Sequence, residues 1–278
     1  MTVLNALSFD VEDWFQVENL KEVISCDDWE CCEPRVVENT RRVLRLLAQH
    51  QTRATFFVLG WVAERCPGLI KEIADAGHEI ASHGYGHELV HKLTPEEFLN
   101  DVARSKEILE SITSKPVLGY RAPSFSITPE ATWALDVLKE LGFGYDSSVF
   151  PTSFHNRYGF NGTSSNPFRH DNGLLEIPLT TYRFCGANFP LAGGAYFRLF
   201  PYACFRHLCR RLNSQGKPIV FYLHPWELDP HQPRMSVRFN YRLRHYVNLG
   251  KTEKRLEKLL EDFKFVPLND FAESYFSS

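Results

Sequence analysis

Two histidines four residues apart, His83 and His87, stand in Ser82-His83-Gly84-Tyr85-Gly86-His87, directly after a stretch that predicts a strand. Neutral imidazoles at this spacing can face one divalent metal if a carboxylate or water completes the shell, or they can simply pack. A second signal ends the first apolar run: Phe9-Asp10-Val11-Glu12-Asp13-Trp14. Three carboxylates within four residues repel one another unless a cation or a basic partner intervenes. Trp14 and Phe15 directly afterwards argue against a freely solvated turn. Arg121, in Tyr120-Arg121-Ala122-Pro123-Ser124-Phe125, follows another predicted strand and suits bidentate pairing with a carboxylate. His224, in Tyr222-Leu223-His224-Pro225-Trp226-Glu227, ends a further apolar run. Pro225 biases it toward an extended backbone, so its ring should project from the strand end. Acid, His pair, Arg and His thus fall at four strand ends, where α/β sheets bind ligands and metals.

Such a site needs a scaffold that brings strand ends together. Val3 to Phe9, Ala54 to Leu59, His78 to Ser82, Val117 to Tyr120, Phe143 to Tyr145, Leu174 to Ile177 and Pro218 to Leu223 read as strands. Val36 to Leu47, Leu69 to Ala76, Tyr202 to Leu212 and Lys251 to Phe263 carry a helical apolar period. Thr94-Pro95-Glu96-Glu97 predicts a helix start with a capping box, and Thr128-Pro129 predicts another that runs to Gly142. Pro151 to Gly173 is polar and irregular, which predicts loop. This alternation predicts an α/β fold with a mainly parallel sheet, open or closed into a barrel.

Lys+Arg 31 against Asp+Glu 34 leaves a net charge of −3, which argues against a nucleic-acid partner. No apolar run approaches the roughly 20 residues of a transmembrane segment. The opening run lacks the basic start of a signal peptide, so a cytoplasmic location is expected. The seven cysteines show no Cys-x-x-Cys spacing, so reduced thiols are expected.

Over nearly its whole length the chain resembles the polysaccharide deacetylases of carbohydrate esterase family 4, which share the NodB homology domain. It is most similar to the branch found with exosortase systems and exopolysaccharide gene clusters. Ser8 to Gln16, the His83/His87 pair, Arg121 to Phe125, Tyr145-Asp146-Ser147-Ser148 and His224 to Glu227 resemble the successive motifs. Gly193 to Arg198 and Arg244 to Gly250 resemble segments peculiar to that branch. The resemblance implies a single-domain distorted (β/α)7-type barrel over residues 1–278, its core at 1–225 and a branch-specific extension at 226–278 packed on it.

It also implies roles. Asp10 would be the general base, oriented by Arg121, and His224 would protonate the leaving amine. His83 and His87 would hold a metal with Glu12 as third ligand, Asp13 remaining the alternative. The family's usual second Asp, next to the first, is Val11 here. The Tyr that usually ends the third motif is Ser124, which leaves the oxyanion contact to a backbone N–H. Trp14, Ser124, Phe125, Tyr196 and Trp226, with Tyr246, would contact the sugar. The cofactor would be a divalent metal, Zn²⁺ by its donor set, with Co²⁺, Ni²⁺ and Fe²⁺ also suited. The implied reaction removes N-acetyl groups from amino sugars of a polysaccharide or glycan precursor, so the partner is an N-acetylated glycan. Two alternatives are a hydrolase of small ureide- or imide-like C–N bonds and a catalytically silent glycan-binding barrel. The branch-specific segments count against the first, and the complete set Asp10, His83, His87, Arg121 and His224 counts against the second.

Overall fold

The computed structural model describes residues 3–152 and 163–276. The first half of the chain runs β1 (Asn5–Val11), α1 (Val36–Gln49), β2 (Thr55–Val58), α2 (Gly60–Arg65), α3 (Pro67–Asp75), β3 (Glu79–Ser82), α4 (Pro95–Thr113), β4 (Gly119–Tyr120), α5 (Trp133–Glu140) and β5 (Tyr145–Asp146). The second half runs β6 (Phe168–Arg169), β7 (Leu175–Glu176), β8 (Thr181–Phe184), β9 (Ala187–Pro190), α6 (Gly194–Leu199), α7 (Tyr202–Ser214), β10 (Val220–Leu223), α8 (Phe239–Tyr246), α9 (Thr252–Asp262), β11 (Phe265–Val266) and α10 (Leu268–Phe276).

The main sheet follows the path β10-β1-β2-β3-β4-β5-β7-β6. From β10 to β7 every pairing is parallel, and only β6 at the edge is antiparallel. Seven parallel strands therefore curl toward closure, and Thr180 bridges the gap back to β10. Its N–H donates to the Val220 carbonyl at 3.3 Å, and its Oγ1 accepts from the Val220 N–H at 2.7 Å. All seven residues of β1 are buried, as expected of a central strand covered on both faces. Phe9 stacks on Phe56 of β2 with centroids 5.3 Å apart in the main core.

Local signals place most helices. At the start of α4 the Glu97 N–H donates to Thr94 Oγ1 at 3.2 Å, and the Thr94 N–H donates to Glu97 Oε2 at 2.8 Å. That capping box, with Pro95 at the first helical position, is the one the sequence predicts. The predicted helix from Thr128 instead opens with a 3₁₀ turn at Pro129–Ala131 before α5.

Several elements depart from expectation. The segment predicted as loop from Pro151 to Gly173 contains the short strand β6, and its residues 153–162, with Asn156 and Asn161, lie outside the described residues. The C-terminal extension, expected to pack on the core, also supplies β11, which pairs with β1 at Asn5↔Phe265 and Ala6↔Val266. It is part of the sheet. All seven cysteines are free, and among the described residues no helix is long and apolar enough to cross a membrane.

One buried polar pair sits beside the site. Asp146 and Glu176 face each other across β5 and β7, both fully buried. Burial pushes Glu176 up to about 7 and Asp146 well above the carboxylate range. A carboxyl raised in the fold contributes fully below its unfolded value of 4.5, and that contribution is lost as pH rises to about 7. Glu176→Gln keeps an amide oxygen for the Val149 N–H and needs no proton. The decline of Tm between pH 5 and 7 should therefore flatten in this variant when melting is followed across pH. An unchanged slope would mean that the pair is not the source.

Candidate active site

The C-terminal ends of five parallel strands converge on one cavity of about 140 Å³ lined by Asp10, Glu12, His83, His87 and His224. Asp10 lies inside β1, and Glu12 follows at the same strand's exit. His83 follows β3, Arg121 follows β4, Ser147 follows β5 and His224 follows β10. The loop carrying the histidine pair is tied down by Asp101 of α4, whose carboxylate accepts the N–H groups of Tyr85 at 2.8 Å and Gly86 at 3.0 Å. Gly84 has φ +73°, and a Cβ there would lie 2.7 Å from Asp101 Oδ2, so the turn requires glycine. His87 itself is left-handed at φ 53°, and Lys21 Nζ donates to its carbonyl at 3.0 Å. Backbone held in this region commonly marks a functional position.

One side-chain atom each from Glu12, His83 and His87 lies within 4.8 Å of the other two. His83 Nδ1–H donates to the Arg121 carbonyl at 2.8 Å, which fixes the tautomer and leaves Nε2 free to ligate. Burial lowers His83 to about 4 and keeps the ring neutral, as a ligand must be. Glu12 Oε2 is buried, 2.7 Å from His87 Nε2, yet has no aligned hydrogen-bond partner. Burial alone would raise Glu12, but His87 and His224 beside it bring it down to about 2. Two imidazole nitrogens and one orphaned carboxylate oxygen on a shared centre fit a divalent cation.

Asp10, held by Arg121, and His224 flank this cluster. Arg121 is wholly buried and fully engaged: Nη1 donates to Asp10 Oδ1 at 2.6 Å and Ser8 Oγ at 2.8 Å, Nε to the Ser147 carbonyl at 3.1 Å, and Nη2 to Ser147 Oγ at 2.9 Å. His224 Nε2 lies 3.9 Å from Asp10 Oδ2 and 3.3 Å from Glu12 Oε1. Its Nδ1 donates to Glu227 Oε1 at 2.8 Å, and Arg198 Nε donates to Glu227 Oε2 at 2.7 Å. Arg198 also donates to the carbonyls of Arg244, His245 and Val247, at 2.8, 3.0 and 2.7 Å. Burial lowers His224, but Glu12, Glu227 and Asp10 outweigh that and raise it to about 9. For Glu227, Arg198 and His224 outweigh burial and hold it near 2. A Cβ at Gly194 would collide with both Glu227 oxygens, so glycine there admits the carboxylate.

Other expected positions divide. Asp13 lies away from the metal cluster: its carboxylate accepts N–H groups from Trp14 at 2.8 Å, Arg35 at 2.6 Å and Val36 at 2.9 Å. It closes the start of α1, and of the two acids only Glu12 groups with the histidine pair. Trp14 is no sugar platform either. It is buried among Phe15, Trp29 and Trp226, and its indole donates to the Glu33 carbonyl at 3.0 Å. Tyr246 is nearly buried too, its hydroxyl accepting the Met235 N–H at 2.9 Å. Tyr196 stacks with Phe200 and does not line the cavity. Ser124 and Phe125 do line it, both left-handed at φ 52° and 55°. Trp226 lines it as a support: it is sandwiched between His224 and His245, at 5.2 and 4.4 Å, and donates to Glu12 Oε1 at 3.2 Å.

Arg198, Glu227, Tyr222 and Arg244 line the cavity without having been singled out for it. Tyr222 was findable, because residues two apart on a strand share a face and His224 is its partner. Glu227 stands three residues after His224, within the motif quoted for it. Arg198 closes the Gly193–Arg198 segment, but nothing in that segment points to its partner Glu227, which lies far along the chain.

Residues 23–145 match the polysaccharide deacetylase family, and residues 147–273 match a domain of unknown function, DUF3473. Residues 23–145 carry the polysaccharide deacetylase match. The chain is 39% identical over 93 residues to a peptidoglycan-N-acetylglucosamine deacetylase of Bacillus cereus, covering 34% of this chain and 32% of that protein. It is 32% identical over 113 residues to a peptidoglycan deacetylase of Helicobacter pylori, covering 41% and 38%. The chain thus spans well under half the length of these relatives. A crystal structure from Mycobacterium smegmatis, assigned to the polysaccharide deacetylases, superimposes with TM-score 0.63 at 23% identity, covering 98% of this chain and 90% of that one. A Bacillus subtilis peptidoglycan deacetylase superimposes with TM-score 0.51 at 13% identity, covering 99% and 93%. These likenesses establish the shared barrel. The site draws on both matched regions and on the stretch before them: Asp10 and Glu12 precede both, His83, His87 and Arg121 lie in the first, and His224, Glu227 and Arg198 lie in the second. The DUF3473 stretch therefore completes the barrel and its cavity.

Proposed function

We propose that this chain is a metal-dependent hydrolase that removes N-acetyl groups from amino sugars of a polysaccharide or glycan precursor and releases acetate. The observation that carries this reading is the placement of a tethered carboxylate, Asp10–Arg121, and a tethered imidazole, His224–Glu227, against the Glu12/His83/His87 cluster in one cavity. A divalent ion held there, zinc by its donor set, polarises an acetamide carbonyl and lowers the pKa of water. Arg121 aims Asp10, so Asp10 takes the proton of the attacking water. With Nδ1 committed to Glu227, His224 delivers a proton from Nε2 to the departing nitrogen. Support for an amino-sugar substrate comes from the relatives' names, and the segments around Gly193 and Arg244 favour an exopolysaccharide.

Acetate released from a panel of N-acetylated oligosaccharides should appear with the protein as prepared, vanish with a chelator and return with added zinc. Release that persists after the metal has been stripped would overturn the metal-dependent reading. His224→Ala should lose far more activity on an N-acetyl amino sugar than on an acetanilide-type amide, whose weakly basic leaving group needs a proton less. Equal losses on the two substrates would assign His224 to the oxyanion or to pocket support.

A further inference from the structure

A second face of the molecule combines charge and apolar exposure. Between Asp229 and Glu253 the sequence holds no acid, and Arg234, Arg238, Arg242 and Arg244 fall within that stretch. Phe239 on α8 is 74% exposed, the largest value for a large apolar side chain among the described residues, and Leu243 one turn later is 43% exposed. Side chains four apart share one face of a helix. An open groove of about 600 Å³ runs beside them, floored by Met235, Leu243 and Val247, with Arg234 and Arg242 among its walls. Of these arginines only Arg238 has an ion pair among the described residues, with exposed Glu22 at 3.3 Å, a contact of little strength.

We infer that this face docks on an anionic phospholipid surface, with Phe239 and Leu243 entering the interface and the arginines meeting headgroup phosphates. Charge complementarity selects this occupant. A two-fold contact with another copy would set the same arginines against one another, whereas an apolar pair ringed by arginines is what an interfacial helix presents to acidic lipid. Arg244, on the same helix, lines the catalytic cavity, so docking would hold the cavity mouth near the membrane surface.

Co-sedimentation with extruded vesicles tests this on the full chain. Binding to phosphatidylcholine–phosphatidylglycerol vesicles, weakened by salt, is expected, with little to phosphatidylcholine alone. Phe239→Ser with Leu243→Ser, and separately Arg234→Glu with Arg242→Glu, should each lower partitioning roughly tenfold or more at unchanged Tm. No partitioning, equal partitioning into both vesicle types, or wild-type binding by both double variants would overturn the inference. So would an oligomer, seen by light scattering, that the Phe239/Leu243 variant dissolves, because that result assigns the face to a second copy.

Discussion

Changing Glu12, His83 or His87 to Ala strips divalent metal and activity together, whereas Asp13→Ala keeps the metal. The three ligating atoms converge within 4.8 Å, and no other described side chain joins them. A three-ligand site that loses one donor keeps too few to hold the ion against water. Asp13 instead satisfies backbone N–H groups at the start of α1. Its loss should therefore cost about 0.5–2 kcal/mol of stability, typical of a helix cap, with little effect on metal content. Elemental analysis of each folded variant, beside its melting curve, decides the matter. Full metal in His83→Ala, or metal lost in Asp13→Ala but retained in Glu12→Ala, would overturn the assignment.

Asp10→Asn should lower kcat about 10²-fold or more while metal content persists, because the amide still accepts from Arg121 but takes no proton. The same change leaves the Arg121 guanidinium buried without its counter-charge. Breaking a buried pair this way typically costs about 3–5 kcal/mol, so Tm should drop as well. Activity therefore has to be compared below the variant's own melting range. Near-normal turnover there would mean that another group is the base.

The catalytic strand ends were legible because apolar runs that stop at an acid, a histidine or an arginine leave a chemical mark in the sequence. Glu12 and Asp13 could not be separated that way. They are neighbours in one turn, and the difference comes from α1, more than twenty residues later, whose first N–H groups claim Asp13. Trp14 and Trp226 read equally well as sugar platforms, and only the packing of Phe15, Trp29 and His245 around them makes them supports. Arg198 was invisible for the same reason: it meets Glu227 and the end of α8 only in the folded chain. The two-residue strands β5 and β11 carry no measurable period of their own, and β11 lies past the last helix that the sequence predicts.

The pairing of β1 has a consequence for how the molecule comes into being. One edge of that strand is taken by β10 and the foot of the other by β11, through Ala6↔Val220 and Asn5↔Phe265. A ribosome must therefore release nearly the whole chain before the segment bearing Asp10 and Glu12 gains its full set of neighbours. Contacts so distant along the chain slow folding. Meanwhile a strand that is buried along its whole length in the fold waits with incomplete edges, the kind of segment that aggregates or engages chaperones during synthesis. Severing the chain between residues 145 and 147, where the two matched regions meet, would leave neither piece with a finished catalytic strand. Biogenesis thus joins the shared cavity in tying those two regions into one polypeptide.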